Sequence, residues 1–322
     1  LEESLAVILS IPGQPLHYYS RSITADEVET AIVNLRRSFL PFTPTKEQQG
    51  LTQPLYNWLL RPAEPLLAEA EIETLAFVLD GAFRSVPMAA LHDGQGYLIE
   101  RYKVALAPSL ELLTSAQLGT TDLNLFAGGV SEARQGFAAL PQVQAELAGI
   151  AQAIPRTQAL IDDDFTEERL QGAIAQPPLN AVHLATHGQF GSTAEETYIL
   201  TWDDRITVTE LERMLQTRQV GSDLPIDLLV LSACQTARGD QQATLGMAGM
   251  AVRSGARSTV ASLWPLDDGA AKVFMTTFYE VLSQTGTSKG DALRAAQLEL
   301  LARPEFSAPY FWASLLLIGN WQ

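Results

Sequence analysis

Two apolar runs that each end at a reactive side chain constrain this chain most. They read AVHLATHG from Ala181 to Gly188 and IDLLVLSACQT from Ile226 to Thr236. Runs rich in Val, Leu, Ile and Ala without polar alternation are typical of strands buried on both faces of a parallel sheet. If the two strands are neighbours, His187 and Cys234 lie together at the carboxyl edge of the sheet, where open α/β folds bind ligands.

A thiol beside an imidazole indicates covalent catalysis. Cys234 can act as the nucleophile and His187 as its base and proton carrier, because a nearby imidazole favours the reactive thiolate. Gly188 has no Cβ, so the chain can turn sharply there and aim its N–H, beside that of Cys234, at a developing oxyanion. A single buried Cys or His is more often an ordinary core residue, but their joint position just beyond two predicted strands favours an active site.

The composition excludes several classes of function. Acidic residues number 37 and basic residues 21, a formal net charge of −16, which disfavours nucleic acid as a partner. The longest apolar run, within Tyr310 to Gly319, is about half of the ~20 residues needed to cross a bilayer, so we expect no membrane span. A single cysteine excludes an internal disulfide and suits a reducing compartment, so we expect a cytoplasmic protein. Because the chain opens with LEESLAVILS and no initiator Met, we also expect it to be cut from a longer protein.

The rhythm of the sequence changes near residue 120. Residues 119–322 alternate short apolar strands with helical segments, which predicts an α/β domain with a mainly parallel six-stranded sheet and helices on both faces. The predicted strands are 123–127, 157–161, 182–185, 228–231, 258–262 and 315–318. Residues 1–118 predict a smaller α/β subdomain with a hairpin over 5–23, helices over 24–39 and 52–70, a strand over 75–79 and one or two strands over 97–107.

The other histidines are interpreted as structural. His183 and His187 have a spacing that would bring both rings to one metal ion on a helix. On a strand at ~3.3 Å per residue the rings lie about 13 Å apart, so we expect neither a shared metal nor a cofactor. His183 and Ser232 are expected in the core, and no P-loop, H-E-x-x-H or G-x-S-x-G sequence occurs.

Two aspartates and a tryptophan follow the predicted strand 258–262, in the sequence ASLWPLDDG. One reading of Asp267 and Asp268 is the start of a helix over 269–282, since carboxylates suit the helix dipole. The other reading is an acidic wall that binds a cationic substrate side chain through a charge-assisted hydrogen bond. Trp264 is either a hydrophobic flank of that pocket or part of the core.

Several blocks of the sequence resemble one family. These blocks are VHLATHGQF, LLVLSACQTARGD, GMAGMAVRSGARSTVASLWPLDD, FYEVL, ALRAAQLELL and APYFWASLLLIGN, together with SVPMAALHDGQGYLIERYKVALAPSLELL in the first part of the chain. They resemble the CHAT domain, a caspase-like module often found beside tetratricopeptide repeats. The resemblance covers nearly the whole chain and is far more specific than the Cys/His pair alone.

The resemblance implies a caspase-like cysteine peptidase related to caspases and separases. His187 and Cys234 would form its dyad, and the N–H groups of Gly188 and Cys234 would bind the oxyanion. Caspases carry Q-A-C-R-G at the nucleophile with the histidine about 50 residues upstream, and here the cysteine of SACQT lies 47 residues after His187 (234 − 187). The caspase Arg and Gly are absent, so a preference for aspartate does not carry over. Separases have an acidic residue in a segment resembling SLWPLDD and cut after arginine, which favours Asp267 or Asp268 as the contact for a basic residue.

Three hypotheses follow for the function. The leading one is an endopeptidase that cleaves protein or peptide substrates after Arg or Lys. The alternative is a regulated interaction or signalling module, with repeat domains or a regulatory protein as partner, whose dyad is inactive until the partner binds. An acyltransferase or nucleotide-binding protein is third, and the missing phosphate loop disfavours the nucleotide-binding form.

Overall fold

The computed structural model describes residues 4–107, 123–190, 196–221, 226–232, 235–236 and 255–322. The strands are β1 Ser4–Leu9, β2 His17–Ser22, β3 Thr74–Phe77, β4 Lys103–Leu106, β5 Leu125–Gly129, β6 Thr157–Ile161, β7 Ala181–Ala185, β8 Gly188–Phe190, β9 Tyr198–Leu200, β10 Arg205–Thr207, β11 Leu228–Leu231, β12 Gln235–Thr236, β13 Ser258–Ser262 and β14 Leu315–Gly319. The α-helices are α1 Ala25–Ser38, α2 Thr45–Leu59, α3 Glu64–Glu69, α4 Leu98–Arg101, α5 Val143–Ala153, α6 Glu167–Ala175, α7 Val208–Gly221, α8 Asp268–Leu282, α9 Lys289–Ala302 and α10 Pro309–Trp312.

An eight-stranded sheet in the order β3-β4-β14-β13-β11-β7-β5-β6 forms the centre of the molecule. The five strands from β13 to β6 are parallel to one another. Strand β14 is antiparallel to β13 and parallel to β4, which in turn is parallel to β3. The carboxyl ends of the five-strand block therefore share one edge of the sheet, as short strands joined by helical crossovers require.

Successive residues of each central strand enter two different hydrophobic cores. In β11, Leu228 and Val230 pack with α5, α8 and α9, whereas Leu229 and Leu231 pack with α6 and α7. This alternation follows from the two-residue period of a strand, and burial of both faces explains why the sequence of β11 is apolar throughout.

All six strands that the sequence predicts for residues 119–322 are present, and helices cover both faces. These six strands belong to a larger sheet, because β3 and β4 from the first part of the chain extend it to eight. Strand β4 pairs with β14 through Leu106 and Ile318. Pairing across such a distance in sequence leaves no local pattern that would indicate it.

The first part of the chain confirms some predictions and corrects others. The β1–β2 hairpin and helix α1 are present, and Thr24 begins α1 with a capping box in which its side chain and Glu27 satisfy each other's N–H groups. The predicted helix 52–70 is wrong in extent: α2 begins at Thr45, and a 3₁₀ turn at Arg61–Ala63 separates it from α3. Pro62 and Pro65 lie at this break, and each lacks the N–H group that a continuous helix would bond there.

The sequence predicts only strand over 97–107, but this segment contains the short helix α4 before β4. Glu100 accepts a hydrogen bond from the N–H of Tyr97 at 2.6 Å and so starts the helical turn. A single turn is too short for its periodicity to be distinguished from a strand.

A second sheet, in the order β10-β9-β8-β12, lies next to the carboxyl edge of the five-strand block. Strand β8 follows β7 after two residues, pairs with β9 on one side and is parallel to β12 on the other. Among the residues that the structure describes, no helix is long and apolar enough to cross a membrane.

Candidate active site

His187 is held at the edge of the sheet by three contacts. Its carbonyl accepts a hydrogen bond of 2.8 Å from the N–H of Leu200. Its ring Nε2 lies 2.7 Å from the carbonyl oxygen of Ala138. Its ring also stacks on Phe137, with centroids 4.8 Å apart and planes 27° from parallel. Main chain and ring are thus fixed, while the side chain keeps part of its surface in solvent.

The contact with Ala138 determines which ring nitrogen carries a proton. A carbonyl oxygen can only accept, so Nε2 of His187 must donate. In the neutral ring the unprotonated nitrogen is then Nδ1, the one that can accept a proton from a thiol.

Cys234 lies outside the described residues, but the chain on either side of it is described. Leu231 pairs with Leu184 in the main sheet, and Gln235 pairs with Gln189 in the second sheet. The segments that flank Cys234 therefore run beside the segments that flank His187, as expected if β7 and β11 are parallel neighbours.

Gly188 lies opposite Ile199 in the β8–β9 pair. The flanking bond runs from Leu200 N–H to the His187 carbonyl, which makes Gly188 and Ile199 a non-hydrogen-bonded pair. The N–H of Gly188 is consequently not used in pairing with β9. The second expected oxyanion donor, the N–H of Cys234, lies outside the described part of the chain.

The two aspartates after β13 have different roles in the structure. Asp267 caps α8, because its carboxylate accepts a hydrogen bond of 2.9 Å from the N–H of Ala270. Asp268 instead accepts from the N–H of Gln142 at 2.9 Å, which links the start of α8 to the start of α5. Burial raises the pKa of Asp268 above its usual range, the charges of Glu146 and Asp267 raise it further, and Gln142 and His187 act against this rise. The carboxylate of Asp268 therefore lies within electrostatic reach of His187.

Trp264 is partly buried close to these aspartates. Its indole Nε1 donates to the carbonyl of Tyr310 at 2.8 Å, and its ring stacks on Phe39 at a centroid distance of 4.8 Å. These contacts fix the orientation of the ring and leave one part of it at the surface.

His183 is a core residue. It is 0% exposed, its Nε2 lies 2.9 Å from the carboxylate of Glu146, and its Nδ1 lies 3.3 Å from the hydroxyl of Tyr279. Ser232 is also buried, with 8% exposure. No group of three or more metal-ligating side chains is found in the described ranges.

The loop after β5 contributes contacts to the site that no motif in the sequence predicts. Phe137, Ala138 and Gln142 of this loop contact His187 or Asp268. Two of these contacts use backbone groups, which carry no sequence signature. Gly129 at the end of β5 is the sequence feature that comes closest to marking this loop. A Cβ there would lie 2.6 Å from Val143 Cγ1 and 2.8 Å from the Ala185 carbonyl, so the close approach requires glycine.

Comparison with solved structures supports the fold. The chain resembles the Arg-specific cysteine proteinase gingipain R with a TM-score of 0.51 and 11% identity, covering 92% of this chain and 74% of the other. It resembles separase from the Saccharomyces cerevisiae separase–securin complex with a TM-score of 0.53 and 14% identity, covering 97% of this chain and 21% of the other. The fold is therefore that of the caspase-like cysteine peptidases.

Two curated relatives are tetratricopeptide repeat protein 28 from Mus musculus and from Homo sapiens. The mouse protein is 25% identical over 337 residues and the human protein 24% identical over 322 residues, which covers 85% and 83% of this chain. The alignments span only 14% and 13% of those proteins. The CHAT domain family matches residues 49–320. The resemblance seen in the sequence is confirmed, and this chain belongs to the CHAT domain family.

Proposed function

We propose that the protein is a cysteine endopeptidase that uses a Cys234/His187 dyad and cleaves after arginine or lysine. The observation that carries this proposal is the fixation of His187. Its Nε2–H donates to the carbonyl oxygen of Ala138. Strand β8 begins directly after His187 and pairs with β12, which begins directly after Cys234. Activation of a thiol needs an imidazole with one nitrogen fixed by a hydrogen bond and the other able to accept the thiol proton.

The reaction proceeds through an acyl-enzyme. The Nδ1 of His187 accepts the thiol proton, and the Cys234 sulfur attacks the scissile carbonyl. Collapse of the tetrahedral intermediate breaks the C–N bond, and His187 returns the proton to the leaving amine. Water, deprotonated by the same imidazole, then attacks the thioester and releases the carboxylic acid with the free thiol.

The N–H groups of Gly188 and Cys234 stabilise the oxyanion in this scheme. The support is the position of Gly188, whose N–H is not used by β9 and which follows His187 directly. Donors preorganised at the point where charge develops contribute a large part of catalysis in acyl transfer.

Asp268 is the proposed contact for the basic side chain. Each carboxylate accepts one backbone N–H, but that of Asp268 also lies within electrostatic reach of His187, so we assign the substrate contact to Asp268. The exposed part of Trp264 then forms an apolar flank for the aliphatic stem. An arriving guanidinium would favour the ionised carboxylate and so act against the burial that raises the pKa of Asp268. The Arg specificity in the name of gingipain R is consistent with such a pocket.

A positional-scanning peptide library tests nucleophile and specificity together. The wild-type protein is expected to cleave substrates with Arg or Lys at the cleavage site, and Cys234→Ala is expected to be inactive. Equal hydrolysis by Cys234→Ala would refute the assignment of the nucleophile.

A regulated module is the second candidate. The curated relatives are named for tetratricopeptide repeats, and the separase neighbour is in a complex with securin, which supports a protein partner for this chain as well. In this version the dyad is inactive until the partner binds. A thiol-reactive peptide probe that labels Cys234 only when a tetratricopeptide repeat protein is added would favour it, and labelling of the isolated chain would exclude it.

A further inference from the structure

A tight turn after β5 carries both groups that hold the ring of His187. Residues Arg134 to Phe137 form a two-residue hairpin turn, with backbone hydrogen bonds of 3.1 Å from Arg134 N and 2.8 Å from Phe137 N to each other's carbonyls. Its central residues have φ values of 48° at Gln135 and 89° at Gly136, as a type I′ turn requires. Phe137 and the next residue, Ala138, are the two that contact the imidazole.

The other end of the turn is fixed to the β9–β10 hairpin. The guanidinium carbon of Arg134 lies 3.7 Å from the ring centroid of Trp202, within cation–π range. The Nε of Arg134 also donates a hydrogen bond to the carbonyl of Trp202. Gln135 adds a second link, because its side-chain oxygen accepts from Arg205 Nε at 2.9 Å.

The same hairpin holds the main chain of His187. Leu200, at the end of β9, donates its N–H to the carbonyl of His187 and accepts a hydrogen bond of 2.9 Å from the hydroxyl of Thr186. Trp202 follows two residues later. The backbone of His187 and the turn beneath its ring therefore both contact the β9–β10 hairpin, the first through Leu200 and the second through Trp202.

We propose that Arg134 and Trp202 form a clamp that positions His187 by holding Phe137 and Ala138 against its ring. This inference rests on the proposed function for its kinetic consequence only. The clamp acts through the turn and touches neither substrate nor the reacting atoms. Without it, the Ala138 carbonyl is no longer fixed opposite Nε2, and the imidazole loses both its orientation and its preferred tautomer.

The first test is kinetic. Arg134→Ala and Trp202→Leu are expected to lower kcat for an Arg peptide by about 10- to 100-fold, because small displacements of a catalytic group cost about this much, while KM changes little. Arg134→Lys keeps the charge and the stem but loses the Nε donor and should be intermediate. Arg169→Ala is the matched control: Arg169 is an exposed arginine paired with Asp164 and does not contact the turn.

The second test does not depend on activity. In protein labelled with ¹⁵N-histidine, NMR reports which ring nitrogen carries the proton, and with four histidines a His187→Gln spectrum assigns the signals. The wild-type protein and Arg169→Ala should hold His187 as the Nε2–H tautomer, whereas Arg134→Ala and Trp202→Leu should show exchange between tautomers. If both clamp variants retain the wild-type tautomer, the inference is wrong, even if the protein proves not to be a peptidase. If the tautomer changes but the wild-type protein cleaves nothing, the clamp stands and the proposed function fails.

Discussion

Strand β7 and the two residues beyond it place two histidines in opposite environments. His183 is fully buried and bonds to side chains from two helices, Glu146 of α5 and Tyr279 of α8. His187 stands beyond the strand, and its Nε2 bonds to a backbone carbonyl, which leaves Nδ1 as the nitrogen that can accept a proton. The comparison shows that position relative to the end of the strand, and not residue type, separates a histidine buried in the core from one at the edge of the sheet.

Removal of the edge imidazole is expected to have the largest effect. His187→Ala should lower kcat/KM for an Arg peptide by about 10²- to 10⁴-fold, the usual contribution of general acid–base catalysis, with little change in the melting temperature. His17→Ala on the β1–β2 hairpin is the control, since His17 contacts only Gln14 through its ring nitrogen among the described hydrogen bonds. Equal losses in both variants would show that the loss is not specific to His187.

Disruption of the buried His183–Glu146 pair should lower the stability of the fold, in contrast to the effect of His187→Ala on activity. Glu146→Ala leaves His183 buried without its 2.9 Å partner and should lower the free energy of unfolding by about 1–3 kcal/mol, measured by urea denaturation. In a double-mutant cycle with His183→Leu, the coupling should be at least about 0.5 kcal/mol. Additive effects would mean that the two side chains are not energetically linked.

Asp268 allows a sharper test, because function and stability should move in opposite directions. Asp268→Asn keeps an oxygen for Gln142 N–H but loses the charge, so the preference for Arg over an uncharged residue should fall by about 10- to 100-fold, the value of a charge-assisted hydrogen bond. Trp264 and α8 keep their contacts in this variant.

The pH dependence of stability follows from the sign of the shift. The folded-state pKa of Asp268 is raised above its ordinary value of 3.8, so the folded protein retains this proton longer than the unfolded chain. The protonated Asp268 therefore contributes stability below the ordinary pKa of 3.8, and this contribution is lost as the pH rises through the folded-state pKa. Asp268→Asn should therefore lose less stability than wild type between pH 4 and pH 7 in urea denaturation. A larger loss in the variant would contradict the assigned environment.

The smallest effect is expected at Asp267. Asp267→Ala removes the cap of α8 and should lower the free energy of unfolding by about 1 kcal/mol, while Asp267→Asn, which can still cap, should restore it. The Arg preference should be the same in all three proteins. A fall in Arg preference with either variant would transfer the substrate contact from Asp268 to Asp267.

The sequence predicts the strands that form the carboxyl edge of the sheet better than it predicts the contacts between residues at that edge. The apolar runs of β7 and β11 and the family blocks were sufficient to predict a parallel sheet with His187 beyond a strand end, because burial on both faces leaves a clear local pattern. Ala138 could not be found in this way, since it acts through its carbonyl oxygen. The turn at Gln135 and Gly136 lacks the Asn-Gly or Asp-Gly pair that marks most type I′ turns, so it was also missed. The role of residues 1–118 as a separate subdomain stays a prediction, and β3 and β4 show that this part shares the central sheet.

Covalent labelling measures the central claim most directly. The chain has one cysteine, so an electrophilic peptide with a terminal Arg can form a thioether only at Cys234, and mass spectrometry of the digested protein reports the rate. The account predicts rapid labelling of the wild-type protein that free Arg peptide slows, and labelling at least about 10²-fold slower in His187→Ala. Equal labelling rates in the two proteins would contradict a Cys234/His187 dyad.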